Sequence, residues 1–167
     1  LIKLLKQGIG GIKMKTAILY ESWHHGNTKR LCDEIKKEYQ DVILLNVKED
    51  VIALEEYDLI GIASGVAFGG FYKEILQVTK DKMPEGKNVF LMYTCGKTGP
   101  DYAKSIKRIL SKKNCNVLGT YYCKGYDTYG PFKLVGGISK GHPTESEIQG
   151  AVRFYGEIIS KYINFKE

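Results

Sequence analysis

The chain has 167 residues, 43% of them hydrophobic and 26% charged, proportions that suit one folded domain with a full core and exclude a disordered or fibrous chain. No apolar run approaches the ~20 residues that a membrane span needs. The formal net charge is +6, yet residues 1–13 hold three lysines and no acids, and the other lysines are spread over helix faces without interleaved aromatics, so no nucleic-acid partner is expected.

In chain order, "LIKLLKQGIGGIK" (1–13) is too short and too broken by Lys3 and Lys6 for a signal peptide. It is expected to be a tag remnant or an N-terminal extension, with a single domain over 14–167. "KTAILY" (15–20) is a short β-rich run. "NTKRLCDEIKKEY" (27–39) spaces Leu31, Ile35 and Tyr39 four apart, which predicts one apolar helix face. "DVILLNV" (41–47) and "YDLIGIAS" (57–64) predict strands, the second ending in "GVAFGG". "FYKEILQVTK" (71–80) predicts a helix, closed by the turn signals Pro84 and Gly86. "NVFLMYT" (88–94) predicts a fourth strand, followed by "CGKTGP". "DYAKSIKRILSKK" (101–113) predicts a helix with Ala103, Ile106 and Leu110 inward. "NVLGTYYC" (116–123) is the fifth strand. The last helix spans 144–163, with Thr144 and Glu147 spaced as a capping box.

Nearly continuous apolar strands alternating with helices predict an α/β fold: a doubly wound five-stranded parallel sheet between two helical layers, in strand order 2-1-3-4-5. Such sheets bind ligands at the carboxyl ends of the strands, beside the switch point between strands 1 and 3. The loops after strands 1, 3 and 4 are the glycine-rich ones, so the unusual sequence converges on that edge. Residues 124–143 lack periodicity and form a long loop, in which Tyr126, Tyr129 and Phe132 either cover a flat ligand or pack onto their own domain.

In "ESWHHGNTKRL" a glycine stands before Asn27 and Thr28 at a helix mouth. The free amides of a first helical turn and its positive dipole end suit a phosphate. Asn27, Thr28 and Ser22 can cap the helix or donate to an anion. Two adjacent histidines, His24 and His25, raise a metal as the alternative. Neighbouring side chains point apart in extended chain, the other histidine is distant His142, and no carboxylate or cysteine spacing completes a site. As loop residues they offer backbone N–H groups and some positive charge. "GKT" (96–98) is not a nucleotide-triphosphate loop, because Leu91 stands where that motif needs glycine. Ser64 replaces the aspartate that a receiver domain would carry. No cysteine lies between 21 and 28 to act as a phosphatase nucleophile. Cys32, Cys115 and Cys123 are expected as small core residues and Cys95 as a loop residue, all reduced as in a cytoplasmic protein.

"ILYESWHHGNTKRL", "DLIGIASGVAFGG" and "VFLMYTCGKTG", in this order and spacing, with "GISKGHPTESEI" before the last helix, resemble the flavodoxin-like family over roughly 14–163. The resemblance implies noncovalent FMN. By it, Ser22, Gly26, Asn27 and Thr28, with the backbone of Trp23, His24 and His25, would hold the phosphate. Ser64, Gly65, Val66, Ala67 and Phe68, with Thr94, Cys95, Gly96 and Gly99, would border the isoalloxazine, and Phe68, Trp23 or an aromatic of the long loop would stack on it. The implied function is electron transfer of flavodoxin type, with no catalytic side chain and a redox protein or small molecule as acceptor. The alternative is an FMN-dependent NAD(P)H oxidoreductase acting on a quinone or similar acceptor, with a homodimer as one assembly; a third reading is an interaction domain that kept the fold without flavin. His25 departs from the family's usual threonine, and the second loop has Phe68 in place of a tryptophan. The basic charge departs from the acidic carriers and implies a less depressed flavin potential.

Overall fold

A computed structural model of the chain describes residues 14–165, so the expectation for 1–13 lies outside the described residues. The central sheet contains β1 (Thr16–Glu21), β2 (Ile43–Asn46), β3 (Leu59–Ala67), β5 (Asn88–Cys95) and β6 (Asn116–Lys124), all parallel, in the order β2-β1-β3-β5-β6. This is the predicted 2-1-3-4-5 topology. It carries one addition, the two-residue strand β4 (Gly70–Phe71), which folds back antiparallel on the end of β3.

Successive strand residues face opposite layers, as the pleat requires. Ile18, Leu59 and Met92 pack against α1 (Asn27–Glu38) and α4 (Glu145–Asn164). Leu19, Ile60 and Leu91 pack against α2 (Lys73–Lys82) and α3 (Lys104–Lys112). Both faces are therefore covered, which explains why the strands read as apolar runs without alternation.

The helices form where the periodicity places them. Leu31 and Ile35 of α1 are fully buried, and each such burial stabilises by about 1.5–3 kcal/mol. Tyr39 lies just past the end of α1 and sets its ring edge-on against Tyr155, centroids 4.8 Å apart. Ile106 and Leu110 of α3, with Ala103 at its N-cap, are also fully buried. The capping box at α4 is formed: Glu147 N–H donates to Thr144 Oγ1 at 3.3 Å, and Thr144 N–H donates to Glu147 Oε2 at 2.7 Å.

Three expectations are corrected. Cys95 is the last residue of β5 and buried, not a loop residue, because β5 extends one residue to pair with Lys124. Cys32 and Cys123 are buried as expected, but Cys115 is only half-buried, its thiol facing Pro84 O at 3.5 Å. The strand expected to end at Ser64 continues through Ala67, so "GVA" is sheet rather than loop. No helix among the described residues is long and apolar enough to cross a membrane.

Because every α/β connection returns over a sheet face, the loops leaving β1, β3, β5 and β6 all open at the carboxyl edge. The long loop after β6 holds a 3-10 turn, Gly130–Val135, and its two arms are tied by the Asp127–Ile138 bridge.

Candidate functional site

His25 and Gly26 both take left-handed backbone, φ 56° and 64°, and α1 starts at Asn27. The cap of α1 is thus Gly26, and Asn27 is not a cap as expected. Its side-chain amide instead donates across to Tyr126 O at 2.8 Å. Ser22 Oγ accepts the amide of Lys29 at 3.1 Å and satisfies the third amide of the helix. The amides of Asn27 and Thr28 have no carbonyl within the helix to bond. The Thr28 and Thr94 hydroxyls are buried 2.8 Å apart; one donates to the other, and the remaining O–H is left to donate elsewhere. A Cβ added at Gly26 would meet no atom within 4 Å. The space beside Gly26, at the positive end of α1, is therefore open.

Both histidines turn to the long loop. The Thr128 N–H donates to His24 Nε2 at 3.2 Å, with Asp127 Oδ1 3.5 Å from the same nitrogen. Burial, and then neighbouring His25, lower the His24 pKa, consistent with a neutral ring whose Nε2 accepts. His25 Nε2 lies 2.9 Å from Thr128 Oγ1, and its ring leans on Tyr126 with centroids 4.5 Å apart. Two imidazoles and one carboxamide thereby latch the loop after β1 to the loop after β6.

Phe68 and Gly69 turn the chain from β3 into β4 with φ 51° and 79°, a two-residue hairpin with both central residues left-handed. Ser64 is fully buried, donating to Gly65 O at 2.7 Å and accepting Tyr72 N–H at 3.0 Å. The Tyr72 hydroxyl occupies the place a Cβ would take at Gly65. Burial pushes the Tyr72 pKa up to about 12, so it stays protonated at neutral pH. In the loop after β5, Asp127 Oδ2 would stand 2.6 Å from a Cβ on Gly96, and Ser139 Oγ donates to Gly96 O at 2.8 Å. Gly99, with φ 134°, faces open space. Burial pushes the Cys95 thiol up to about 11.

The loops border a shallow, solvent-open cleft. Of the anticipated residues, Ser22, His24, Asn27, Thr28, Gly65, Val66, Thr94, Cys95 and Gly96 line it. Trp23, His25, Gly26, Ser64, Ala67, Phe68 and Gly99 do not. Trp23 and Phe68 instead belong to a chain of ring contacts along the cleft mouth: Phe68 to Tyr129 (5.4 Å), Tyr129 to His24 (6.5 Å), His24 to Trp23 (5.2 Å), and Trp23 to Tyr72 (5.7 Å). Trp23 is 52% exposed and Phe68 90%. Phe132 contributes no ring contact to this row.

Sequence reasoning missed Tyr72, Gly125 and Asp127, which also line the cleft. Gly125 had a readable signal as a glycine ending a strand: a Cβ there would meet Asn27 Nδ2 at 2.8 Å. Tyr72 reads as the second residue of the helix expected over 71–80, and Asp127 as one polar residue among many; neither carried a signal. Among the described residues, no three His, Cys, Asp or Glu side chains stand together as a metal could use them.

Comparison with known proteins adds three findings. The "Flavodoxin domain" family model matches residues 17–127. An uncharacterized protein of Methanocaldococcus jannaschii is 37% identical over 148 residues, covering 87% of this chain and 99% of that protein. Among solved structures, a flavodoxin from the domain Archaea superposes with a TM-score of 0.66 at 18% identity, over 89% of this chain and 99% of its own. A Fusobacterium nucleatum flavodoxin mutant bound to flavin mononucleotide gives 0.63 at 18% identity, over 89% and 97%. At such identities the structural likeness is one of fold.

Proposed function

Since the chain belongs to the flavodoxin-domain family, we propose that it holds FMN at the carboxyl edge of its sheet and works as an electron carrier of flavodoxin type. The observation that carries this reading is the start of α1 in the cleft, where Asn27 and Thr28 present amides with no helical carbonyl to bond, beside a spare threonine O–H and the open space at Gly26. Amides at a helix start favour an anion of phosphate size, and the aromatic row outside the cleft offers faces for a flat heterocycle. The residues present thus fit the group.

When bound, FMN supplies one- and two-electron chemistry. The chain's own residues bind, orient and shield. Ser22 fixes the third amide of α1 and so aims the first two at the anion. The hydroxyl pair Thr28–Thr94 joins the phosphate end to β5. Val66, with the backbone of Gly65 and Gly96, forms the inner wall, while Trp23 and Tyr129 stand at the mouth. No residue in the cleft has to act as a nucleophile: the Cys95 thiol and the Tyr72 hydroxyl remain protonated at neutral pH. The basic charge of the chain favours reduction of the flavin to an anion, so its lower potential is expected to lie above that of acidic carriers; spectroelectrochemical titration measures it.

Titration of flavin-free protein with FMN, followed by quenching of flavin fluorescence, tests the reading. Saturable one-to-one uptake is expected. A protein that purifies colourless and takes up no FMN would refute it.

A further inference from the structure

The lip of the cleft has a composition that flavin binding does not require. The segments 94–100 and 122–141, the ends of β5 and β6 with the loops that follow them, carry Lys97, Lys124, Lys133 and Lys140, against a single acid, Asp127. Asp127 is turned inward, accepting the Tyr129 N–H at 2.7 Å and facing His24. All four lysines are exposed, and none has an ion-pair partner among the described residues.

Elsewhere many lysines are engaged. Lys15 pairs with Glu56, Lys29 with Asp33, Lys37 with Glu34 and Lys107 with Asp101. Lys87 and Lys113 donate to backbone carbonyls. The lip thus gathers uncompensated positive charge. It also shows large apolar side chains to water: Phe68 at 90% exposure, Leu134 at 89% and Val135 at 72%. Phe68 stands at the tip of the β3–β4 hairpin and touches Tyr129, and Leu134 and Val135 end the 3-10 turn that follows Tyr129 in the chain. Apolar groups beside charges of one sign match the anatomy of a transient interface, with an apolar centre and a charged rim.

We propose that this lip, the Phe68 hairpin tip beside the lysine-bearing segments 94–100 and 122–141, docks an acidic redox protein that presents carboxylates around an apolar spot. The exchange partner is placed by it over the cleft mouth, where an exposed flavin edge would lie; this part rests on the FMN reading. Charge complementarity commits the occupant to an acidic surface. The exposed rings and aliphatic side chains supply short-range contact once long-range attraction has brought the two together.

The test is a calorimetric titration of the full chain, with and without FMN, against two probes of opposite charge: an acidic plant-type [2Fe–2S] ferredoxin and basic cytochrome c. At about 10 mM ionic strength the screening length is about 30 Å, against about 10 Å at 0.1 M. The acidic probe is expected to bind at the lower strength and to weaken steeply at the higher one. The double variant Lys133→Glu/Lys140→Glu is expected to weaken that binding at least about tenfold at low salt and to leave FMN affinity unchanged. Lys112→Glu, at the other end of α3, is expected to have less than about a twofold effect.

No binding of the acidic probe at low salt would overturn the proposal, as would equal or tighter binding of cytochrome c or indifference to the double variant. So would sedimentation of the chain with phosphatidylglycerol vesicles that the double variant abolishes while ferredoxin binding is unaffected, since that assigns the lip to a lipid surface. Failure to take up FMN would remove the carrier reading by itself, while the binding of the probes still decides the surface.

Discussion

Gly26→Ala separates the structural duty of the loop after β1 from its proposed duty to a ligand. The added Cβ would meet no protein atom within 4 Å, so the flavin-free protein suffers no clash. What remains is the backbone cost of a left-handed alanine at φ 64°, about 1–2 kcal/mol. A stiffer unfolded chain offsets about 0.4–1 kcal/mol of it. The net destabilisation is about 1 kcal/mol, or about 2–4 °C in Tm for a chain of this size. The methyl group stands in the room assigned to the phosphate. Displacing one charge-assisted hydrogen bond costs about 1.5–3 kcal/mol, a rise of about ten- to a hundredfold in the FMN dissociation constant. Fluorescence-quenching titrations with FMN and with riboflavin, which lacks the phosphate, measure the effect, and differential scanning calorimetry measures the stability. The expected pattern is a large loss for FMN, little change for riboflavin and a small shift in Tm. Unaltered FMN affinity, or an equal loss for both flavins, would place the phosphate elsewhere.

Three other outcomes follow from local geometry. Phe68→Asn is expected to raise Tm by about 2–4 °C, because asparagine before glycine suits a turn with two left-handed residues, worth about 1 kcal/mol here; an unchanged or lower Tm would contradict the strain assigned to Phe68. Thr144→Ala removes the capping box of α4 and is expected to cost about 1 kcal/mol in urea denaturation, with FMN affinity intact. His24 has its folded-state pKa below the ordinary value of 6.5, so the unfolded chain binds more protons in weak acid. The stability conferred by neutral His24 is therefore present above about pH 6.5 and lost as pH falls through the lower folded value. The same profile measured on His24→Gln is expected to be flatter between pH 7 and 5 (roughly, by the ordinary titration range of histidine), whereas loss of the lowered Glu147 carboxylate appears only below 4.5; parallel profiles in the histidine range would refute the assignment.

The sheet order and the placement of most helices were legible because they depend on local periodicity and on the handedness of crossovers. Leu31 and Ile35 state the buried face of α1 without reference to anything distant. The β3–β4 hairpin was hidden because glycines read as loop, and because Phe68 stands where asparagine or aspartate normally marks such a turn. Cys95 was misread for the same reason: Gly96 follows it, but the burial that keeps it in β5 comes from the neighbouring strand and the Asp127 loop. At the site, the first loop was read correctly as a helix mouth, yet the duties of its side chains were not visible. Asn27 and His25 reach partners about a hundred residues away in the chain, Tyr126 and Thr128. Such bonds have no local signature. Tyr72 likewise acquires its place in the cleft only through the glycine at position 65 that admits its hydroxyl.

The latch between the loops after β1 and β6 also sets how the edge opens. Its three polar ties, from His24, His25 and Asn27, converge on the three residues Tyr126–Thr128. Separating the loops breaks all of them at once, so the two segments form one cooperative unit of local unfolding despite their distance in sequence. Amide hydrogen exchange in 126–128 should therefore slow together with that of the first turn of α1. An anion held at that turn alone would protect the far loop as well, without touching it.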